Sequence, residues 1–363
     1  MRIVHTESSC GWGGQEIRTL SEAEGLSRRG HQVALLACTA SRIHDEALKR
    51  GLEAHALPIE RKNLKGVLAM RRWLRSHPAD IVNTHSSTDT WLTALACATF
   101  RPSPRIVRTR HISTDIPRTP ATRWLYRSAT THVVTTGETL RSQVLHATGL
   151  DEPRVTSIPT GIDLERYTPG DRKLARAALG LPADAFIVGI VATLRSWKGH
   201  RFLVDAVAGI DDPHCILVIV GDGPGATNLR EQVERLGLTS RVRMPGQQDD
   251  VIPWLRAFDV FALPSYANEG IPQAIMQAMA CRVPVVTTHA GAIGEIVRDG
   301  ETGLVVPPRD VEALRLALLR LRGDPALGGK LAENGARQAA QRFSAIAMLD
   351  AMERVFREAA ARP

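Results

Sequence analysis

Short apolar runs alternate with amphipathic stretches from one end of this 363-residue chain to the other. Apolar runs of strand length that are separated by segments of helix length are typical of βα units, whose strands form parallel sheets. The regular alternation carries this interpretation, because no single short run establishes a strand. We therefore predict an α/β protein, and at roughly 150 residues per domain the length favours two domains.

The alternation falls into two series. The first predicts strands at 2–6, 32–38, 53–57, 81–85, 105–110, 133–136 and 155–159, with helices such as 15–29, 64–76 and 88–99. A stretch with proline and glycine at both ends, 159–170, marks the predicted domain boundary. The second series predicts strands at 186–194, 215–221, 241–244, 260–264, 284–288 and 304–306, and then three helices within 311–361.

We expect two doubly wound domains, at 1–160 and 161–344, and a final helix at about 345–363 that can pack back on the first domain. Domains of this type bind ligands at the carboxyl ends of their strands, so a site between the two domains is expected.

The cysteines and the lengths of the apolar runs indicate the cellular compartment of the protein. The five cysteines are scattered singly, which argues against a disulfide framework and against a structural zinc site; they are Cys10, Cys38, Cys97, Cys215 and Cys281. No signal-like apolar stretch follows Met1, and no run approaches the ~18 apolar residues of a membrane span. We expect a cytoplasmic protein, with peripheral attachment to the inner face of the cell membrane as an open alternative.

Excess positive charge is confined to the first half of the chain. Residues 1–160 hold 22 Lys and Arg against 14 Asp and Glu, whereas residues 161–363 hold 24 against 24. An anionic partner and a solvated, arginine-rich surface both explain this, and the lack of a nucleic-acid motif argues against nucleic acid. The basic residues around helix 64–76 fit an anionic membrane surface or a surface helix with Trp73 in the core; they are Arg61, Lys62, Lys65, Arg71, Arg72 and Arg75.

Glycines follow the first predicted strand, in Gly11-Trp-Gly13-Gly14. Glycine lets the backbone approach a ligand closely, and the N-terminus of the following helix favours an anion. A dinucleotide fold would place an acidic residue after the second strand, where this chain has Cys38-Thr-Ala40. A ligand-binding loop and a tight βα turn therefore both remain open.

The segment with the most chemistry is Glu269-Gly270-Ile271-Pro272, followed by Gln277 on a predicted helix. An acid and a glycine at a strand end, with proline at a helix start, present a carboxylate and free backbone N–H groups together. Such an arrangement binds a polyol and a phosphate.

This segment resembles that of the retaining glycosyltransferases of family four, which have the GT-B fold of two facing Rossmann-like domains with a cleft between them. The resemblance covers nearly the whole chain. The family pattern has two glutamates eight positions apart; Glu269 matches the first, and Gln277 departs from the second. The turn that ends in Lys198 looks like the pyrophosphate-binding turn, with Arg195 in place of an arginine that the family often has at the position of Thr193.

Further motifs follow in the family's order. Val220-Gly-Asp-Gly223-Pro ends one strand, Met244-Pro-Gly246 resembles the stretch near the nucleotide base, and a Gly-x-Thr-Gly motif lies at 300–303. His111 resembles the histidine that faces the donor sugar and acceptor across the cleft, and we expect His85 to shape the cleft floor.

The resemblance implies a retaining transferase that moves a sugar from a UDP- or GDP-sugar to a glycan or lipid-linked acceptor, in lipopolysaccharide or polysaccharide biosynthesis. It implies front-face substitution, in which the leaving diphosphate helps to deprotonate the acceptor, and no metal or other cofactor. The implied catalytic residues are Glu269, His111, Lys198 and Arg195, and the implied donor-binding residues are Gly13, Gly14, Gly223, Gly246, Gly270, Ile271 and Gln277. A nucleotide-sugar epimerase and a non-catalytic nucleotide-sugar-binding or scaffold protein are the alternatives.

Overall fold

The computed structural model describes residues 1–112, 114–267 and 269–362, so Pro363, the last residue of the predicted final helix, lies outside them. The chain divides into two compact units. Unit 1 comprises Met1–Gly161 together with the C-terminal segment from Ile346, and unit 2 comprises Ile162–Ala345. Each unit has its own parallel β-sheet.

Strands and helices alternate through unit 1. Its elements are β1 Arg2–Glu7, α1 Gly14–Arg28, β2 Gln32–Cys38, α2 Arg42–Lys49, β3 Glu53–Leu57, α3 Leu64–Ser76, β4 Ile81–Thr84, α4 Ser87–Cys97, β5 Arg105–Arg110, α5 Pro120–Trp124, a π-helical turn Leu125–Ala129, β6 His132–Thr135, α6 Glu138–Thr148 and β7 Val155–Ser157. The strand order is β3-β2-β1-β4-β5-β6-β7, all parallel. The order reverses between β1 and β4, which is where folds of this type form a ligand crevice.

Strands and helices also alternate through unit 2. Its elements are α7 Arg172–Ala178, β8 Phe186–Val191, a 3₁₀ turn Ser196–Lys198, α8 His200–Ala208, β9 Cys215–Val220, α9 Ala226–Arg235, β10 Val242–Gly246, α10 Ile252–Ala257, β11 Val260–Leu263, α11 Gln273–Ala280, β12 Val285–Thr287, β13 Leu304–Val305, α12 Val311–Gly323 and α13 Pro325–Arg342. The last helix, α14 Ala345–Ala361, belongs almost entirely to unit 1. The strand order is β10-β9-β8-β11-β12-β13, and it reverses between β8 and β11.

Helix α14 packs on the core of unit 1. Its buried side chains Met348, Met352 and Phe356 recur every four residues, which places them on one helix face. They join the cluster that contains Leu20 of α1 and Leu35 of β2. The C-terminal helix thereby contributes to the core of unit 1.

Helix α3 places Trp73 in the core. Trp73 and Leu74 are buried in the core of unit 1, and the Trp73 ring stacks on His77 with centroids 4.3 Å apart. Trp73 is therefore a core residue.

The exposed apolar side chains of α3 are Leu64 and Leu68, which are 71% and 54% exposed. No helix among the described residues is long and apolar enough to cross a membrane.

The predicted strands differ from the observed ones mainly at their ends. The segments 32–38, 53–57 and 105–110 match β2, β3 and β5 residue for residue. The predicted strand 155–159 ends at Ser157 instead, because Pro159 has no N–H with which to continue a ladder. The predicted strand 186–194 ends at Val191.

Candidate functional site

In unit 2, a lysine and a glutamate meet where the strand order reverses. Lys198 follows β8 and Glu269 follows β11, and these strands are neighbours. Lys198 Nζ lies 2.7 Å from Glu269 Oε1 and 2.9 Å from Oε2, and Ser265 Oγ donates to Oε1 at 2.6 Å. Glu269 is only 4% exposed. Its carboxylate is therefore held by one cation and one hydroxyl in a fixed orientation.

Two glycines let the loops around this pair approach closely. Gly199 has φ +79°, and a Cβ there would lie 2.0 Å from the carbonyl oxygen of Pro264. Gly291 has φ +57°, and a Cβ there would lie 2.0 Å from the carbonyl oxygen of Glu269. The Tyr266 amide also donates to the Trp197 carbonyl at 2.9 Å, which ties the lysine loop to the glutamate loop. Larger residues at either glycine would separate the loops.

The other predicted glycines of unit 2 follow β9 and end β10. Gly223 packs against Leu194, and a Cβ on Gly223 would lie 2.9 Å from the Leu194 backbone nitrogen. The Gly246 carbonyl accepts from the Gly221 amide at 2.9 Å, and Gly246 has φ +78°. These contacts shape the carboxyl edge of the sheet around the loop that carries Arg195.

Arg195 does not take part in the ion pair between Lys198 and Glu269. It is exposed, and its guanidinium carbon lies 5.3 Å from the centroid of the Trp197 ring. Gly270 and Ile271 immediately precede Pro272, the N-cap residue of α11, and Gln277 is buried on that helix. The predicted cation and donor-binding residues of unit 2 thus lie on loops and a helix at one sheet edge.

In unit 1, three histidines form a chain at the corresponding reversal of strand order. His5 lies on β1, His85 follows β4 and His111 follows β5. His5 Nδ1 is 2.9 Å from His85 Nε2, and His85 Nδ1 is 2.9 Å from His111 Nε2. Each neighbouring pair of rings is stacked, with centroids 5.2 Å apart. The predicted site histidine therefore contacts the predicted cleft-floor histidine directly.

All three imidazoles are neutral at physiological pH. Burial lowers the pKa of His5 to about 3. Burial also lowers the pKa of His85 well below its usual value, with further contributions from His111, His5 and Arg18. The pKa of His111 is lowered in the same way by burial and by Arg18. A charged imidazolium would lose its hydration here, and no carboxylate among the described residues forms an ion pair with any of the three rings.

Carboxyl groups accompany the glycine loop at the start of α1. Gly13 is the N-cap residue of α1, Gly14 is its first residue, and buried Glu16 lies in its first turn. The Glu7 carboxyl accepts from the Ser9 amide at 2.8 Å. Burial raises the pKa of Glu7 well above its usual value, and Asp89 and Glu16 raise it further. An anion at these glycines would meet negative charge unless Glu7 is protonated.

The structure thus brings Lys198 to Glu269 and His85 to His111, while His111, Gly13 and Gly14 belong to unit 1 and the other predicted site residues to unit 2. Sequence reasoning missed Ser265 and His5. A hydroxyl at a strand end was a signal for Ser265, whereas a histidine inside an apolar strand resembles a core residue.

Within 1–112, 114–267 and 269–362 no group of three or more His, Cys, Asp or Glu side chains is arranged to hold a metal ion.

Comparison with known proteins gives two family matches. Residues 12–166 match a family described as Glycosyltransferase Family 4, and residues 185–324 match one described as Glycosyl transferases group 1. A D-inositol 3-phosphate glycosyltransferase of Saccharomonospora viridis is 35% identical over 220 residues, which cover 57% of this chain and 51% of that protein. The enzyme of the same description from Mycobacterium bovis is 29% identical over 391 residues, covering 96% and 79%. This chain thus matches only about half the length of the first of these relatives.

Solved structures share the architecture. A glycosyltransferase from Rickettsia africae has a TM-score of 0.87 at 21% identity, over 100% of this chain and 99% of that one. Anabaena HepE in complex with UDP-glucose has a TM-score of 0.85 at 24% identity, over 99% and 100%. Together with the two parallel sheets, these similarities confirm the predicted two-domain α/β GT-B fold.

Proposed function

This chain belongs to the glycosyltransferases of family four, and from that premise we propose that it transfers a sugar from a nucleoside diphosphate sugar to an acceptor hydroxyl with retention of anomeric configuration. The observation that carries the proposal is the fixed pair of Lys198 and Glu269 where the strand order of unit 2 reverses. A cation and a hydrogen-bond acceptor side by side suit a ligand that joins a diphosphate to a sugar.

Lys198 is suited to the leaving diphosphate. An ammonium group has three N–H donors, and two of them are directed at the Glu269 carboxylate, which leaves the third for a phosphate oxygen. Negative charge grows on the diphosphate as the glycosidic bond breaks. A cation held in place beforehand therefore stabilises the transition state more than the ground state. Arg195, which is exposed on its loop, is proposed as the second cation.

Glu269 is suited to the sugar. Its oxygens can accept hydrogen bonds from donor-sugar hydroxyls, while Ser265 and Lys198 prevent the carboxylate from rotating. Gln277 is proposed to accept a hydrogen bond from the ribose, and the backbone amides near Gly270 and Ile271 to donate to the diphosphate. We propose that these protein groups stabilise the diphosphate without a metal ion, so transfer should persist in the presence of EDTA.

The acceptor is proposed to be a glycan or a lipid-linked sugar of a bacterial envelope polymer, presented at an anionic membrane surface. The exposed face of α3 supports this. Leu64 and Leu68 are one helical turn apart, and Arg72 and Arg75 follow them on the same face. An exposed face with leucines and arginines is typical of helices that lie at a membrane surface.

A soluble inositol phosphate is the second candidate acceptor, because the curated relatives are described as D-inositol 3-phosphate glycosyltransferases. An inositol phosphate carries negative charge, as does the membrane surface that presents the first candidate. The two differ in the assay, since one acceptor partitions into vesicles and the other remains in the aqueous phase.

Donor binding and product analysis test the proposal. UDP- and GDP-sugars should be screened by thermal shift, since a ligand at ~100 times its dissociation constant stabilises a fold by about 2.7 kcal/mol. UDP-glucose is the first donor to test, because HepE has been crystallised with it. NMR of the product should then show the donor's own anomeric configuration, and Glu269→Gln should bind the nucleotide and transfer poorly.

Three results would overturn the proposal. A product of inverted configuration would contradict retention. Epimerised donor that forms without any acceptor would favour the epimerase alternative. Tight donor binding with neither transfer nor slow hydrolysis, over the whole panel of acceptors, would favour a non-catalytic nucleotide-sugar-binding protein.

A further inference from the structure

The chain of His5, His85 and His111 allows only two arrangements of protons. A neutral imidazole has one N–H donor and one acceptor nitrogen, and each 2.9 Å contact between rings needs one of each. If His85 carries its proton on Nδ1, it donates to His111 and accepts from His5, so all three rings are protonated on Nδ1. If His85 carries its proton on Nε2, all three are protonated on Nε2. The tautomer of His111 is therefore coupled to that of His5, two rings away.

The buried end of the chain distinguishes the two arrangements. His5 Nε2 is fully buried and has no hydrogen-bond partner among the described residues. The ring of Phe356 from α14 also lies beside His5, with the two ring centroids 6.5 Å apart at an interplanar angle of 69°. Protonation on Nε2 would place an unpaired N–H in this apolar environment. Protonation on Nδ1 leaves only an unpaired acceptor, and buried N–H groups without partners are the rarer of the two in proteins.

We propose that His5 and His85 are positioning residues that hold His111 as the Nδ1–H tautomer, so that His111 presents a hydrogen-bond donor at the carboxyl edge of the sheet in unit 1. Exposure rises along the three rings, from 0% for His5 to 3% for His85 and 8% for His111, so His111 is the least buried of them. A ring nitrogen fixed as a donor suits a hydroxyl or phosphate oxygen. The identity of that oxygen, on the donor sugar or on the acceptor, rests on the proposed function.

The stacked rings also restrict rotation. His85 is fixed by hydrogen bonds at both ring nitrogens, and its backbone amide donates to Asp89 at 2.9 Å. His111 is fixed at Nε2 by His85. Because β1, β4 and β5 are adjacent in the sheet, the three rings follow the spacing of the strands. His111 is therefore oriented before any ligand binds, which reduces the entropic cost of binding.

Nitrogen NMR tests the proton arrangement without any activity. Protein labelled with ¹⁵N-histidine should give long-range ¹H–¹⁵N correlations typical of the Nδ1–H tautomer for His5, His85 and His111, which single substitutions assign. Finding any of the three as the Nε2–H tautomer or as imidazolium at pH 7.5 would overturn the proposal. This measurement needs no donor sugar. It can therefore refute the proposed tautomers of the three histidines independently of the proposed function.

Kinetics test the positioning role. In His85→Gln the amide group can still donate to His111 and accept from His5, whereas His85→Leu can do neither. We expect kcat/KM to fall about tenfold in His85→Leu, as for one lost hydrogen bond, and to stay within about threefold in His85→Gln. His132→Leu is the matched control, since His132 is a buried histidine of the same unit that bonds Thr156 instead; it should keep its turnover. Equal losses in the two His85 variants, both folded by circular dichroism, would overturn the proposal.

Discussion

Removal of Lys198 should destabilise unit 2 through the glutamate that it leaves behind. In Lys198→Met the Glu269 carboxylate, 4% exposed, keeps only the hydrogen bond from Ser265 among the contacts of the described residues. Breaking a buried ion pair by removing one partner costs about 3–5 kcal/mol. The lysine side chain is 20% exposed, so water compensates part of the loss, and we expect the lower end of that range, about 3 kcal/mol.

A double-mutant cycle separates this ion pair from the effect of packing. In the Glu269→Gln background no buried charge is left unpaired, so the same lysine substitution should cost only about 1 kcal/mol, the usual value of a neutral hydrogen bond. The coupling energy is then about 2 kcal/mol. Urea unfolding followed by tryptophan fluorescence is a suitable assay, because Trp197 is the neighbour of Lys198 in the sequence.

An exposed pair of the same unit provides the control. Arg298 and Glu301 are 3.5 Å apart with side chains 66% and 65% exposed, so Arg298→Met and Glu301→Gln should couple by less than about 1 kcal/mol. If Lys198→Met and Glu269→Gln prove additive to within about 0.5 kcal/mol, the pair does not hold the glutamate and the argument from geometry is refuted. Lys198→Met should also lose the stabilisation that nucleoside diphosphate gives the wild type.

Three further predictions follow from the structure and the proposed function. Gln277→Glu should be tolerated, changing the KM for donor by about fivefold or less and kcat little; an inactive variant in steady-state assays would contradict the proposed ribose contact. Replacing Leu64 and Leu68 by serine should reduce flotation with anionic vesicles at low salt, and equal recovery of the wild type with neutral and anionic vesicles would refute attachment to anionic lipid. Burial lowers the pKa of His132 and of His200 to about 4, so below pH 6.5 the unfolded chain binds protons at these two residues that the folded chain excludes; the stability of the wild type relative to His132→Leu or His200→Leu should be constant above pH 6.5 and fall by about 3 kcal/mol between pH 6.5 and 4, and a stability difference that does not change with pH would contradict this.

The fold was predictable because its signal is local. Each buried strand of a parallel sheet is a short apolar run, and each crossover helix has an amphipathic period, so β2, β3 and β5 could be delimited from the sequence alone. Strand ends were less predictable, since they depend on the partners that a backbone group finds. Beyond Val191, the Leu194 amide donates to the Asp222 carbonyl at 3.0 Å, a contact made by a loop that no local pattern encodes.

The site residues were predictable one by one, and their pairing was not. Glu269 and Lys198 were identified from separate motifs and given separate roles, on the sugar and on the diphosphate. Their ion pair requires β8 and β11 to be neighbours, which depends on strand order and on the fit of Gly199 against Pro264. His5 was missed for a different reason. A histidine within an apolar strand reads as a core residue until its ring is seen to contact His85.

The histidine cluster of unit 1 is neutral, whereas the Lys198–Glu269 pair of unit 2 is charged. This difference follows from what each cluster needs in order to be buried without a ligand. Three imidazoles can be buried together because each can be neutral and satisfy its neighbour, so unit 1 needs no counter-ion for them. Glu269 is 4% exposed and lies against the ammonium group of Lys198, so unit 2 pairs its buried carboxylate with a cation. Unit 1 therefore offers a neutral, oriented donor, which suits hydroxyl groups, and unit 2 offers a charged pair, which suits a sugar diphosphate. Substitutions at His85 should accordingly affect transfer with little change in the salt dependence of donor binding, whereas substitutions at Lys198 should change that dependence directly, because only the second contact is between full charges.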